Sequence, residues 1–142
     1  MIDFSSSCLE CGASQVDGMG CWEQLGGILA WEWDDPELMR QHFLTVASYN
    51  LQHPAQFTEE AIDKLRQLFI EHLDEGVPVY LLRRRVGRDS AGSKRVRRKV
   101  ADRVMVKRDW QMTVADVYLA GRREGAAVRV REWAESIRRE FV

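Results

Sequence analysis

All three cysteines of the chain fall within residues 8–21, two as Cys8-Leu9-Glu10-Cys11-Gly12 and the third as Cys21-Trp22. Thiolate and imidazole are the donors that a structural zinc ion prefers. It takes four of them in a tetrahedron, and two cysteines separated by two to four residues are the usual local half of such a site. Cys8 and Cys11 supply that half, and Cys21 is a natural third donor. The fourth must come from His42, His53 or His72. A redox pair of the thioredoxin type would need its C-x-x-C at the start of a helix that follows a strand. The Ser- and Gly-rich stretch around Cys8 shows neither element. A catalytic metal site, by contrast, would keep one position open for water, with a base at hand. Glu23, His42 and Tyr49 are the residues that could build that version.

The choice among histidines depends on the elements that carry them. Apolar positions Trp22, Leu25, Leu29 and Trp33 recur at helical spacing and predict a first helix over 21–33, weakened by Gly26-Gly27. "DDPE" then provides Asp35 as N-cap, Pro36 at the first helical position and Glu37 in the first turn, so a second helix should run from 36 to His53 and stop at Pro54. With so short a connection the two helices should form an antiparallel hairpin. Cys21 then lies beside residues 49–53, and His42 lies opposite about residue 28. His42 and His53 are roughly 16 Å apart along one helix, too far to share an ion. The expected site is therefore Cys8, Cys11, Cys21 and His53 around Zn2+, fastening the N-terminal loop across the open end of the hairpin.

Thr58 caps a third helix, whose stripe of Ala61, Ile62, Leu65, Leu68, Phe69 and Leu73 ends near Gly76. The stretch "VPVYLLRRRVG" fits a short helix or a strand. Thr113 and Asp116 have the spacing of a capping box and open a short helix to about Ala120. The last helix is the clearest, with Val130, Trp133, Ala134, Ile137 and Phe141 on one face. The expected fold is mainly α: one small helical domain with an N-terminal zinc-binding loop packed on a helical hairpin. Within it, 1–20 form the metal-binding loop, 21–76 a three-helix segment, 77–108 a basic variable segment and 109–142 the C-terminal helices. Histidines 42 and 72 and all five tryptophans read as core packing.

These residues also resemble an uncharacterised bacterial domain family. Its pattern is CxxCG, then CW, an acidic DP step, a helix with His and a "DAYAVQHP"-like motif, W-x-TVADV, and a closing V-x-x-WA. Here the carriers are Cys8–Gly12, Cys21-Trp22, Asp35-Pro36, His42, Tyr49-Asn50-Leu51-Gln52-His53-Pro54, Trp110 with Thr113–Val117, and Val130 with Trp133-Ala134. Ala47 stands where that motif has an acidic residue. The resemblance supports the ligand set and implies no activity.

Composition sets the remaining bounds. With 45% hydrophobic and 30% charged residues, the 142-residue chain suits a globular domain. No apolar run approaches a bilayer span, and "MIDFSSSC" has no signal-peptide pattern, so a cytoplasmic, reducing location without membrane contact is expected. The net charge of -1 hides an asymmetry: 3 Lys/Arg against 14 Asp/Glu in residues 1–76, and 18 against 8 in residues 77–142. The basic run includes Arg83, Arg84, Arg85, Lys94, Arg95, Arg97, Arg98 and Lys99. It reads as a solvated loop or one docking the acidic half; the alternative is a phosphate-binding surface for nucleic acid. "GRDSAGSK" (87–94) inverts the last two residues of a P-loop, so Lys94 and Ser93 sit wrongly for phosphate and Mg²⁺. The function expected from all this is a zinc-stabilised interaction or regulatory module with an unidentified protein partner or a second copy, more readily than an enzyme.

Overall fold

The computed structural model describes residues 7–89 and 96–141, with the backbone alone at 87–89. Seven α-helices follow in chain order among these residues: α1 (Cys21–Trp31), α2 (Pro36–Arg40), α3 (His42–Gln52), α4 (Glu59–Glu75), α5 (Val79–Asp89), α6 (Val114–Tyr118) and α7 (Ala126–Glu140). No strand occurs among the described residues, only isolated bridges, so the fold is mainly α. It divides into two compact units. The first runs from the N-terminal loop to His53 and resumes at Met105; the second is Pro54–Val104.

In the first unit α1 packs mainly on α6, and α3 on α7, which also packs on α6. Its core is Leu25 and Ile28 of α1, Leu38, Leu44 and Leu51, Val114 and Val117 of α6, and Val130, Trp133, Ala134 and Ile137 of α7. Close approach of α1 and α6 needs the missing side chain of Gly27, where a Cβ would sit 2.7 Å from the Tyr118 ring. That ring stacks on Trp31 at 5.2 Å.

Helix starts follow the caps anticipated from the sequence. Asp35 Oδ1 accepts from Leu38 N–H at 3.1 Å, Thr58 Oγ1 from Ala61 N–H at 3.2 Å, and Asp116 reaches back to Thr113 N–H at 2.8 Å. Two boundaries differ. The first helix gives way to a 3-10 turn at Glu32–Asp34. The expected helix over 36–53 is interrupted at Gln41 (φ -91°, ψ 8°), where the Thr45 hydroxyl donates back to the Gln41 carbonyl at 3.1 Å, an arrangement that bends helices.

The packing role assigned to all five tryptophans holds for only some of them. Trp133 is fully buried, whereas Trp22 and Trp33 are 68% and 86% exposed. The buried face of α1 is Gln24, Leu25 and Ile28, continued by Glu32. Polar residues at both ends of that face disguised it, and the tryptophan stripe lies beside it.

In the second unit α4 and α5 bury Leu68, Phe69 and Leu82. Gly76 at φ 68° ends α4, and His72 Nδ1 bonds the Val77 carbonyl at 2.8 Å, so His72 secures the turn and is only part-buried. "VPVYLLRRRVG" is helical from Val79 onward. After it the chain returns to bridge Phe57 at Arg97.

Candidate metal centre

The N-terminal loop is built from tight turns. Gly12, at φ 81°, allows the Cys8–Ala13 loop to close with Gly12 N–H donating to the Cys8 carbonyl at 3.0 Å and Cys8 N–H to the Ala13 carbonyl at 2.9 Å. Asp17 and Gly18 (φ 51° and 79°) turn the chain so that Val16 and Met19 pair, as the Asp-Gly hairpin signal allows. Gln24, fully buried, donates through Nε2 to the Ser14 carbonyl at 2.8 Å and the Met19 carbonyl at 3.1 Å. One side chain of α1 thus holds both arms of the loop against the helix. Its signal in the sequence is a lone glutamine on an apolar helix face.

This scaffold brings Cys8, Cys11, Cys21 and His53 together, one donor atom from each, all within 4.8 Å of one another. Cys8 Sγ lies 3.6 Å and Cys21 Sγ 3.4 Å from His53 Nε2. Zinc–sulfur and zinc–nitrogen bonds of about 2.3 and 2.0 Å at a tetrahedral angle require about 3.5 Å between those atoms. Backbone N–H groups of Glu10 (3.4 Å) and Cys11 (3.5 Å) point at Cys8 Sγ, and that of Ala13 (3.4 Å) at Cys11 Sγ. Such donors stabilise thiolates. His53 Nδ1 lies 2.6 Å from the Tyr49 carbonyl; since a carbonyl can only accept, Nδ1 carries the hydrogen and Nε2 faces the sulfurs. The Tyr49 ring stacks on His53 at 4.0 Å and its hydroxyl lies 3.5 Å from Cys21 Sγ.

Electrostatics follow from the crowding. The hydrogen bond with Cys11 lowers Cys21 to about 3 against the opposing effect of burial, helped by His53 and Tyr49. The same bond, then burial, raises Cys11. Burial would lower His53, but the Cys21 bond and the Tyr49 carbonyl outweigh it and raise it to about 9. Burial and then Cys21 raise Tyr49. Thiolate and neutral imidazole are the forms that bind a metal ion, so its binding would release protons from this cluster.

His42 is elsewhere. Its Nδ1 lies 2.8 and 3.1 Å from the carboxylate oxygens of Glu32, at the end of α1 opposite Cys21, and its side chain is 45% exposed rather than in the core. The expected neighbour near residue 28 is Glu32 instead. Burial raises the Glu32 carboxyl above the ordinary range, with His42 opposing. Glu23 caps α1 by accepting from Gly20 N–H at 3.1 Å. Of the residues named for an open site, only Tyr49 touches the cluster. Among the described residues no other trio of His, Cys, Asp or Glu converges in this way.

The basic run divides in two. Arg85 pairs with Glu71. Arg97 donates to Gln56 at 2.9 Å and lies over the Phe57 ring at 5.4 Å, and Arg98 donates to the Phe57 carbonyl at 2.6 Å. Arg83, Arg84 and Lys99 are exposed. Lys94, Arg95 and most of the P-loop-like "GRDSAGSK" lie outside the described residues.

The chain belongs to the Family of unknown function (DUF5946), whose model matches residues 6–141. Comparison with curated proteins and with solved structures finds no match. Among the described residues no helix is long and apolar enough to cross a membrane.

Proposed function

We propose that this member of the family is a small interaction or regulatory module whose N-terminal loop is fastened to its helical body by a structural zinc ion at Cys8, Cys11, Cys21 and His53. The observation that carries this reading is the donor set: three sulfurs and one imidazole nitrogen within 4.8 Å, with no carboxylate among them. Four such donors complete a tetrahedron and leave no position for water, which is the arrangement of a structural rather than a catalytic zinc. Among the described loop residues only Glu10, Cys11 and Ala13 are buried. Apparent zinc-binding energies of about 10 kcal/mol or more would offset the entropy of ordering the loop. A reducing compartment such as the cytoplasm would keep the three thiols available.

Elemental analysis of protein purified without chelator tests the reading, alongside His53→Ala and His42→Ala. One zinc per chain is expected in the parent and in His42→Ala, and a loss of both metal and thermal stability in His53→Ala. Zinc retained in His53→Ala but lost in His42→Ala would overturn the ligand set. A chelated protein that keeps the parent's melting temperature would overturn the structural role.

A further inference from the structure

The second unit separates its charges. Helix α4 carries Glu59, Glu60, Asp63, Glu71, Asp74 and Glu75, whereas residues 79–104 hold ten Lys/Arg against Asp89 and Asp102. Several of those cations are bound within the unit, through Glu71, Gln56 and Phe57. What remains on α5 is a row. Tyr80, Arg83 and Arg84 stand at i, i+3 and i+4, one face of a helix covering about 6 Å of rise. Tyr80 is 64% exposed, both arginines are exposed, and Arg85, turned from that row, takes the Glu71 carboxylate.

We infer that this face of α5 binds single-stranded nucleic acid, Arg83 and Arg84 contacting successive phosphates and Tyr80 stacking on a base. Guanidinium groups with no carboxylate partner among the described residues can match phosphate with two parallel N–H donors. An exposed aromatic in line with them is the second half of single-strand recognition, because an unpaired base offers its face and a duplex does not. The charge of the row is complementary to a polyanion. This inference names a partner class for the interaction module and does not depend on the metal.

The test is fluorescence anisotropy with labelled 20-nucleotide oligo-dT and oligo-rU, and with a duplex of equal length, at 50 and 200 mM salt. Binding to the single strands at 50 mM salt, weakening steeply by 200 mM, is expected. Arg83→Glu with Arg84→Glu should weaken it at least tenfold and flatten the salt slope by about 1.4, the loss of two phosphate contacts. Tyr80→Ala should cost roughly tenfold without changing the slope. Arg40→Glu, a single charge reversal in the first unit, should stay within twofold of the parent, whereas Arg83→Glu alone should already weaken binding several-fold. Circular dichroism confirms that each variant is folded, and zinc content should be unaltered in all of them, so failure here is distinct from failure of the metal site. No binding at 50 mM salt would overturn the inference. So would full affinity in the double variant, preference for the duplex, or binding to phosphatidylserine vesicles with none to the oligonucleotides.

Discussion

His53 is held from behind by its own helix: its Nδ1 donates to the Tyr49 carbonyl at 2.6 Å, one turn earlier, while Nε2 stands 3.4 Å from Cys21 and 3.6 Å from Cys8. That bond uses a carbonyl at the end of α3 which the helix leaves without a partner. It selects the tautomer whose free nitrogen meets the sulfurs. The placement of the fourth donor is thus a property of a helix terminus, stopped by Pro54.

Tyr49 adds its side chain to the same arrangement, and this part can be removed separately. In Tyr49→Phe the ring can still stack on His53 and the backbone carbonyl is untouched, but the hydroxyl 3.5 Å from Cys21 Sγ is lost. Partners of metal ligands are worth roughly 10–100-fold in affinity. Zinc affinity, measured by competition with a chromophoric chelator, should fall by about tenfold with the helical content unchanged. Parent affinity in Tyr49→Phe would mean that the hydroxyl plays no part in holding Cys21.

Glu32 links stability to pH. Its folded carboxyl is raised above the ordinary range by burial, with His42 opposing. A raised folded value means stability fully present below the unfolded carboxyl's pKa of about 4.3 and lost as pH rises through the folded value. Glu32→Gln keeps an oxygen to accept from His42 Nδ1 and removes the titration. Urea midpoints of parent and variant between pH 4 and 7 should diverge, the variant gaining relative to the parent as pH rises. Any effect of acid on the metal site is common to both proteins, so the difference reports Glu32 together with its His42 partner. Parallel curves would refute the assignment.

Two adjacent glycines should respond with opposite sign. A Cβ at Gly26 meets nothing within 4 Å, whereas one at Gly27 would sit 2.7 Å from Tyr118 Cε1. Gly26→Ala should therefore stabilise by up to about 1 kcal/mol through helix propensity alone. At Gly27 the same gain is opposed by an overlap costing typically 1–3 kcal/mol, because Tyr118 is stacked on Trp31 and cannot yield freely. Gly27→Ala should be net destabilising by about 1 kcal/mol. Thermal melts of the two single variants decide it.

The same glycines show what could be read before the structure. Their sequence predicts only a weakened helix; the reason one of them is needed is Tyr118, ninety-one residues away by number. What was legible was mostly local. The caps at Asp35, Thr58 and Thr113 depend on side chains three residues from their targets. Cys21 does meet His53, but not through the expected two-helix hairpin: a 3-10 turn and α2 separate α1 from α3, and the two pack mainly on α6 and α7. The break at Gln41 was not legible, since neither proline nor glycine marks it. Nor was the face of α1, because buried Gln24 and Glu32 look like solvent positions until their partners, the loop carbonyls and His42, are in place. Left-handed Leu119 and Ala120 (φ 48° and 54°) defeat sequence reading for a related reason: a non-glycine there is strained by about 1–3 kcal/mol, and only its surroundings hold it. Here Arg129 gathers the Val117, Arg122 and Glu124 carbonyls around that turn.

Gln52 offers the sharpest test of how the ligand-bearing helix is anchored. It is buried at the end of α3, donating to the Met112 carbonyl at 2.8 Å and accepting from Trp133 Nε1 at 3.2 Å. It therefore joins α3 to α7 and to the segment leading into α6, immediately before His53. Gln52→Met keeps most of the volume and breaks both bonds, leaving the buried Trp133 indole N–H without this partner, at about 1–3 kcal/mol, and the part-buried Met112 carbonyl at less. Gln52→Ala adds a cavity and should cost about 1–2 kcal/mol more. Both losses are expected in chemical denaturation of zinc-saturated protein, with zinc still bound at one per chain, because none of the four ligands or their hydrogen bonds is altered. If Gln52→Met were as stable as the parent, the two bonds would not be what holds α3 in place, and packing around Trp133 alone would have to account for it.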